Sequence, residues 1–214
     1  MTSTQNFIKR VVDIAGASFA LTVFGPLFIA IAVAIRLDSK GSVWFRQVRL
    51  SRGARPFKVF KFRTMIENAP DLRNADGSTF NAVNDSRVTR IGGFLRKTSL
   101  DELPQFINVL FGTMSLVGPR PDQADQSQYY TAEEWRRTHV KPGITGLAQI
   151  NGRNAISWAE RKQLDLEYVD KQSVLLDCQI LFKTIPYVLG SRDVYISSAP
   201  ATDQLLETAT EVAQ

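Results

Sequence analysis

Asp101 and Glu102 stand side by side in Thr98-Ser99-Leu100-Asp101-Glu102-Leu103-Pro104, the acidic pair best placed in the chain for chemistry. Adjacent carboxylates can divide the roles of nucleophile and general base between them. Ser99-x-x-Glu102 is equally the pattern of a helix capping box, in which first-turn acids merely complement the helix dipole. Both readings use one geometry. A helix N-terminus lowers a carboxylate's pKa and attracts phosphate, which would place an ionised Asp101 as nucleophile or metal ligand. Arg90, Arg96, Lys97 and Arg120 could offset the charge of an incoming diphosphate.

Ser115-Leu116-Val117-Gly118-Pro119-Arg120-Pro121 reads as an apolar strand end followed by an arginine held between two prolines. Pro119 and Pro121 restrict the backbone on both sides. A guanidinium presented from so stiff a loop suits bidentate phosphate contact, although an ordinary rigid turn would look the same. Lys141-Pro142-Gly143-Ile144-Thr145-Gly146 and Asn151-Gly152-Arg153-Asn154 are two further turn-rich loops, the second offering another arginine. One histidine, His139, and one cysteine, Cys178, leave no set for the usual zinc sites and no intramolecular disulfide. A lone cysteine fits a reducing compartment.

These residues need elements to position them. The segment Ile14–Ile35 is 22 residues without a charge. A secretory signal is possible in outline but too long in its apolar part. A straight transmembrane helix has the length, yet Lys9 and Arg10 flank one end and Arg36, Lys40, Arg46, Arg49, Arg52 and Arg55 follow the other. Basic flanks prefer the cytoplasmic side, and here both ask for it. Gly25-Pro26 in mid-run suggests a helix–break–helix that enters one leaflet and returns. A buried helical hairpin in a soluble core is the remaining alternative, weakened by the near absence of a polar face.

Residues 43–50 and 57–65 are rich in β-branched and aromatic residues around the turn cluster Ser51–Pro56, which predicts a hairpin. Eight basic residues lie between Lys40 and Arg63 with no acid. That patch suits anionic lipid, phosphate or nucleic acid, and Phe57, Phe60 and Phe62 either stack on bases or fill a core. Residues 66–86 form a long polar loop. Helices are expected around 87–112, with Leu103, Phe106, Ile107, Leu110 and Phe111 at spacings of three and four, then at Trp135 and over 157–171. The stretch 174–189, interrupted by Pro186, is too short to span a membrane and suits an interfacial amphipathic helix. The chain of 214 residues carries +5; its first 190 carry 25 basic and 17 acidic groups, +8, because the tail is acidic.

In order, KFRTM (61–65), LRKTSLDELPQ (95–105), MSLVGPRP (114–121), VKPGITGLAQINGR (140–153) and LDCQILFKT (176–184) resemble the bacterial sugar transferases of the monotopic phosphoglycosyl transferase superfamily over about residues 7–190. The resemblance implies transfer of a sugar-1-phosphate from a UDP-sugar to a polyprenyl phosphate such as undecaprenyl phosphate, with Mg²⁺, at the cytoplasmic face of the bacterial inner membrane. It implies Asp101 as nucleophile and Mg²⁺ contact, and Glu102 as its dyad partner. Lys61, Arg63, Arg96, Pro119, Arg120, Pro121 and Arg153 match positions near the phosphates. Pro26 matches the proline of the family's re-entrant helix, with Gly25 where relatives often carry serine. The family's larger members have additional N-terminal transmembrane helices, so a minimal catalytic core is expected here.

The expected fold is therefore a mixed α/β, mainly helical, membrane-associated domain with a re-entrant helix–break–helix, a β-hairpin and interfacial amphipathic helices. It divides into membrane helix and flanks (1–40), catalytic domain (41–190) and acidic tail (191–214). Its expected partners are the nucleotide-sugar donor, the polyprenyl phosphate and one bilayer leaflet; no nucleic acid is expected, and a homo-oligomer is left open. The competing function is a membrane-anchored basic scaffold that binds anionic lipid or nucleic acid without chemistry.

Overall fold

The computed structural model describes residues 1–82, 84–152 and 155–190; the acidic tail and Arg153 lie outside them. The first helix, α1 (Ser3–Asp38), opens with a reciprocal capping box between Thr2 and Gln5. At ~1.5 Å per residue its 36 residues would extend ~54 Å if straight. Gly25-Pro26 was expected to separate two helices, but α1 is a single element with Pro26 inside it. A proline's φ is itself helical, and its cost is one lost amide donor and a clash with the preceding turn. That cost unwinds no turn here.

Asp13, Ala17, Ala20, Ile31 and Ile35 are the buried residues of α1 and recur at helical spacing on one face. Phe19, Ile29 and Leu37 are exposed by 71, 70 and 83 %. The buried hairpin of a soluble core is thereby excluded, since α1 leaves most of its apolar surface uncovered. The helix is long and apolar enough to cross a membrane, and an exposed apolar surface of this extent belongs in lipid. The protein is membrane-associated.

Both halves of α1 dock on the rest of the chain. Near the start, Lys9 Nζ donates to Asp177 Oδ2 at 2.6 Å and to the Val117 carbonyl at 2.9 Å. Arg10 donates to the carbonyls of Val109 and Leu110 at 2.6 and 2.8 Å. Asp13 Oδ1 accepts from Ser115 Oγ and from the Leu116 amide. Toward the end, Ile31 and Ile35 join Phe62 and Leu95 in a small core.

The predicted hairpin forms as β1 (Trp44–Leu50) and β2 (Pro56–Phe62), antiparallel with Trp44 opposite Phe62 and Leu50 opposite Pro56. Alternation along β2 sets the site. Phe57 and Val59 point into the main core, and Lys61 shares their face one step further on. Phe62, on the opposite face, stacks on Trp44 with ring centroids 5.1 Å apart and meets Phe28 edge-on. Phe57 and Phe62 therefore fill cores and offer no stacking face for bases.

Among its described residues, the polar loop of residues 66–86 contains no helix or named strand. It is tied down by Arg87, which pairs with Asp85 and donates to the Pro70 carbonyl, and by Gln126 Nε2 on the Gly77 carbonyl. There follow α2 (Arg90–Thr98), a 3-10 turn (Leu100–Glu102), α3 (Gln105–Leu110) and β3 (Ser115–Val117). β3 pairs in parallel with β4 (Gly143–Thr145). At Gly143 a Cβ would lie 2.1 Å from the Gly118 amide nitrogen, so this close approach needs glycine. Short α4 (Leu147–Ile150), α5 (Trp158–Lys171, capped by Ser157 and Glu160) and α6 (Val174–Leu189) complete the body. On α6, Ile180 is in the core whereas Leu175, Phe182 and Ile185 are exposed.

Candidate active site

α2 begins at Thr89, whose hydroxyl accepts from the Gly92 amide, and Gly92 lies directly on the backbone of Thr64. A Cβ there would fall 1.9 Å from the Thr64 carbonyl oxygen. This contact fixes the path of α2 and lets Arg96 Nε donate to Thr64 Oγ1 at 2.9 Å. The helix stops at Ser99, which adopts the left-handed conformation with φ 60°. Ser99 thus ends α2 and makes no capping hydrogen bond to the next turn, so the capping box suggested by Ser99-x-x-Glu102 does not form. The acids are placed by a 3-10 turn instead of a helix N-terminus, and both are 8 % exposed.

The two carboxylates are held differently. Glu102 is clamped: Lys61 Nζ donates to its Oε1 at 2.7 Å, and Arg120 reaches Oε1 at 2.6 Å and Oε2 at 3.3 Å. Asp101 Oδ2 has Lys61 Nζ at 3.6 Å, an ion pair beyond hydrogen-bond length. Burial pushes the Asp101 carboxyl above the usual range; Lys61 opposes that shift and the neighbouring Glu102 adds to it. Arg120 is pushed up, chiefly by Glu102. A buried acid lightly held among cations is suited to attack, whereas its clamped neighbour is suited to orientation.

Arg120 owes its position to residues the sequence did not single out. Arg49 Nη1 donates to the Pro121 carbonyl at 2.9 Å. Burial, then Arg120, lower the Arg49 pKa to about 10. Behind the loop, the buried Arg137 donates to the Arg120 carbonyl at 3.1 Å and to Asp122 Oδ2 and Asp165 Oδ2, both at 2.6 Å. Asp122 also accepts from Tyr130 Oη and Trp158 Nε1. Burial alone would raise Asp122, but Arg137, Tyr130 and Trp158 outweigh it and hold the carboxyl at about 2. Asp165 is pushed up to about 6 by burial, against Arg137.

These shifts carry a pH signature. With its folded pKa below the ordinary 3.8, ionised Asp122 contributes stability above pH ~4 and loses it as pH falls toward about 2. A shift of this size corresponds to about 2 kcal/mol. Asp165 runs the opposite way, losing its contribution as pH rises from ~4 to about 6. The acid-side decline in unfolding free energy between pH 5 and pH 2 should therefore shrink by about 2 kcal/mol in Asp122→Asn, read by denaturant melts.

Of the residues expected from the sequence, the structure brings together Asp101, Glu102, Lys61 and Arg120, with Pro119 and Pro121 flanking the last. Arg96 lies on α2 against Thr64. Arg63 donates to the carbonyls of Ser42, Ser39 and Met65, fastening the exit of α1 to the exit of β2. Arg90 and Lys97 are exposed on α2. Arg153 falls outside the described residues. No cluster of three or more His, Cys, Asp or Glu occurs among the described residues, so the carboxylates there for a cation are the Asp101–Glu102 pair.

The bacterial sugar transferase profile matches residues 4–191. The exopolysaccharide production protein ExoY of Rhizobium meliloti is 41 % identical over 198 residues, covering 87 % of this chain and 88 % of its own. The uncharacterized sugar transferase EpsL of Bacillus subtilis is 44 % identical over 187 residues, covering 87 and 90 %. A UDP-glucose:undecaprenyl-phosphate glucose-1-phosphate transferase of Klebsiella pneumoniae is 45 % identical over 185 residues, which is 83 % of this chain but 39 % of that protein. The chain belongs to the bacterial sugar transferase family and is an enzyme of the polyprenyl-phosphate sugar-1-phosphate transferase type.

Proposed function

We propose that the chain transfers a sugar-1-phosphate from a UDP-sugar to undecaprenyl phosphate through a covalent intermediate on Asp101, releasing UMP and initiating a membrane glycan. The supporting observation is the asymmetry of the dyad: Glu102 is clamped by Lys61 and Arg120, while among the described residues the ion pair of Asp101 is the longer Lys61 contact. An Asp101 carboxylate oxygen attacks the β-phosphorus. An oxygen–phosphorus bond forms as the bond from that phosphorus to the bridging oxygen breaks, and its electron pair leaves on UMP. Lys61 and Arg120 offset the charge gathering on the phosphoryl oxygens. An oxygen of the acceptor phosphate then attacks the same phosphorus and frees the Asp101 carboxylate, with Glu102 placed to orient the acceptor and take any proton it carries.

Mg²⁺ fits this donor set, because it is commonly held by one or two carboxylates together with substrate phosphates and waters. Asp101 is the residue that would hold it, since Glu102 is already engaged by two cations. When bound, the ion supplies further charge neutralisation for the diphosphate.

We also assign α1 to one leaflet, with the body on the cytoplasmic face of the inner membrane. Residues 10 and 31 are separated by ~30 Å of helix if it is straight, about the thickness of the hydrocarbon core. Both nevertheless touch the same polar body, Arg10 through Val109 and Ile31 beside Phe62 and Leu95. A straight span would place those flanks on opposite sides of the bilayer. This assignment requires α1 to change direction, and Gly25-Pro26, where an amide donor is missing, is the place suited to it. Leu175, Phe182 and Ile185 of α6 suit the interfacial plane.

Two experiments test this reading. Purified protein in detergent, given acceptor and a panel of UDP- and CDP-sugars, should release UMP from at least one UDP-sugar; release from none would reject the function. Cysteines introduced as Thr4→Cys and Ser42→Cys in intact cells should both resist an outside-only thiol reagent. Labelling of one alone would restore a straight span.

A further inference from the structure

A cleft beside Arg120 is lined by Arg120, Gln149, Trp158, Arg161 and Asp165, with about 330 Å³ of empty space, part of it open to solvent. Four buried polar atoms on its lining residues have no hydrogen-bond partner among the described residues: Gln149 Nε2 and Oε1, Arg161 Nε and Asp165 Oδ1. Gln149 and Asp165 are 8 and 1 % exposed. An unsatisfied buried polar atom costs ~1–3 kcal/mol, so four on the walls of one cleft point to an absent partner. Gln149 stands in VKPGITGLAQINGR and Asp165 in the helical segment 157–171, but residue type alone assigns neither a role.

We infer that this cleft receives the base edge of the donor's nucleotide and that Gln149 reads uracil there. The inference rests on the UDP-sugar reading above. The unmet groups are a mixture of donors and acceptors. A phosphate offers oxygens that only accept, and it would face the Asp165 carboxylate with no proton to give. Uracil presents N3–H between two carbonyls on one edge. The Gln149 amide can donate to O4 and accept from N3–H in a two-bond pairing, and Arg161 and Asp165 hold a further donor and acceptor beside it. Gly146 makes room for the amide, since a Cβ there would lie 2.9 Å from Gln149 Oε1. Cytosine, with an amine where uracil has O4 and a bare N3, reverses the pairing and would pair only with the amide turned over, its nitrogen toward N3 and its oxygen toward the amine.

The test is calorimetric titration of the full chain in detergent with UMP, CMP and ribose 5-phosphate. The wild type should prefer UMP over CMP by tenfold or more. Gln149→Leu should weaken UMP by at least tenfold and erase that preference, leaving ribose 5-phosphate unchanged. Gln149→Glu, nearly isosteric and with an acceptor in place of the amide donor, should move the preference toward CMP; its melting temperature, matched to wild type, controls for folding. An unchanged UMP/CMP ratio in both variants would mean that the cleft holds water only. Such a result beside intact UMP release from UDP-sugars overturns this inference alone, whereas failure of the wild type either to bind UMP or to turn over any UDP-sugar overturns the underlying function with it.

Discussion

Asp101→Asn should reduce UMP release from the donor by at least a thousandfold, with no sugar phosphate bound to the protein. The amide is nearly the same size as the carboxylate, so packing against Lys61 is little disturbed. What it lacks is the anionic oxygen that forms the bond to phosphorus. Nucleophilic catalysis divides one difficult displacement into two easier ones, and a loss of ~10³ corresponds to about 4 kcal/mol of barrier. Glu102 is a poor substitute, because Lys61 and Arg120 hold its Oε1 at 2.7 and 2.6 Å and Arg120 also reaches Oε2 at 3.3 Å. Release should be measured with donor alone and with donor plus acceptor. Wild-type rates of UMP release in both would remove Asp101 from the chemistry.

Arg137→Met should be the most destabilising single change in the site. The guanidinium is 5 % exposed and bonds Asp122, Asp165 and the Arg120 carbonyl. Burial acts against its charge, but Asp122 and Asp165 outweigh burial and push its pKa up. Without the arginine, two buried carboxylates lose their common cation. Removing one partner of a buried ion pair costs ~3–5 kcal/mol, which for a chain this size lowers the melting temperature by about 10 °C or more. The effect should reach activity as well, since the Arg120 loop loses the donor behind its carbonyl. Arg137→Lys keeps the charge without the fork geometry, and should recover part of the stability while kcat/KM stays about tenfold low. If Arg137→Met melts within 2 °C of wild type, the node is not what holds the loop.

Local signals were legible where a local rule decided the outcome. The hairpin was readable because Ser51–Pro56 is a turn cluster between alternating segments, and its register follows from that turn. The start of α5 was readable from Ser157 and Glu160, whose capping box forms as written. Ser99 and Glu102 spell the same box, yet there the close packing of Gly92 on Thr64 fixes where α2 runs, and Ser99 is used to end that helix. A tertiary contact overrode a local pattern.

The dyad, Lys61 and Arg120 were legible from residue type and motif. Arg137, Asp122 and Asp165 were not, because they are brought together over separations of 15 and 28 residues by folding alone. The parallel pairing of Ser115 with Gly143 was hidden for the same reason. In α1, hydropathy identified the apolar helix, and Pro26 suggested an interruption that the helix accommodates without losing its continuity.

The covalent step can be tested directly by mixing the purified wild-type chain with UDP-sugar in the absence of any polyprenyl phosphate and following UMP and intact mass together. The account predicts a burst of one UMP per active chain, a matching mass increase of one sugar phosphate, and localisation of that mass to the peptide containing Asp101. UMP release that begins only on adding acceptor, with the protein mass unchanged throughout, would contradict it and indicate direct transfer between the two substrates.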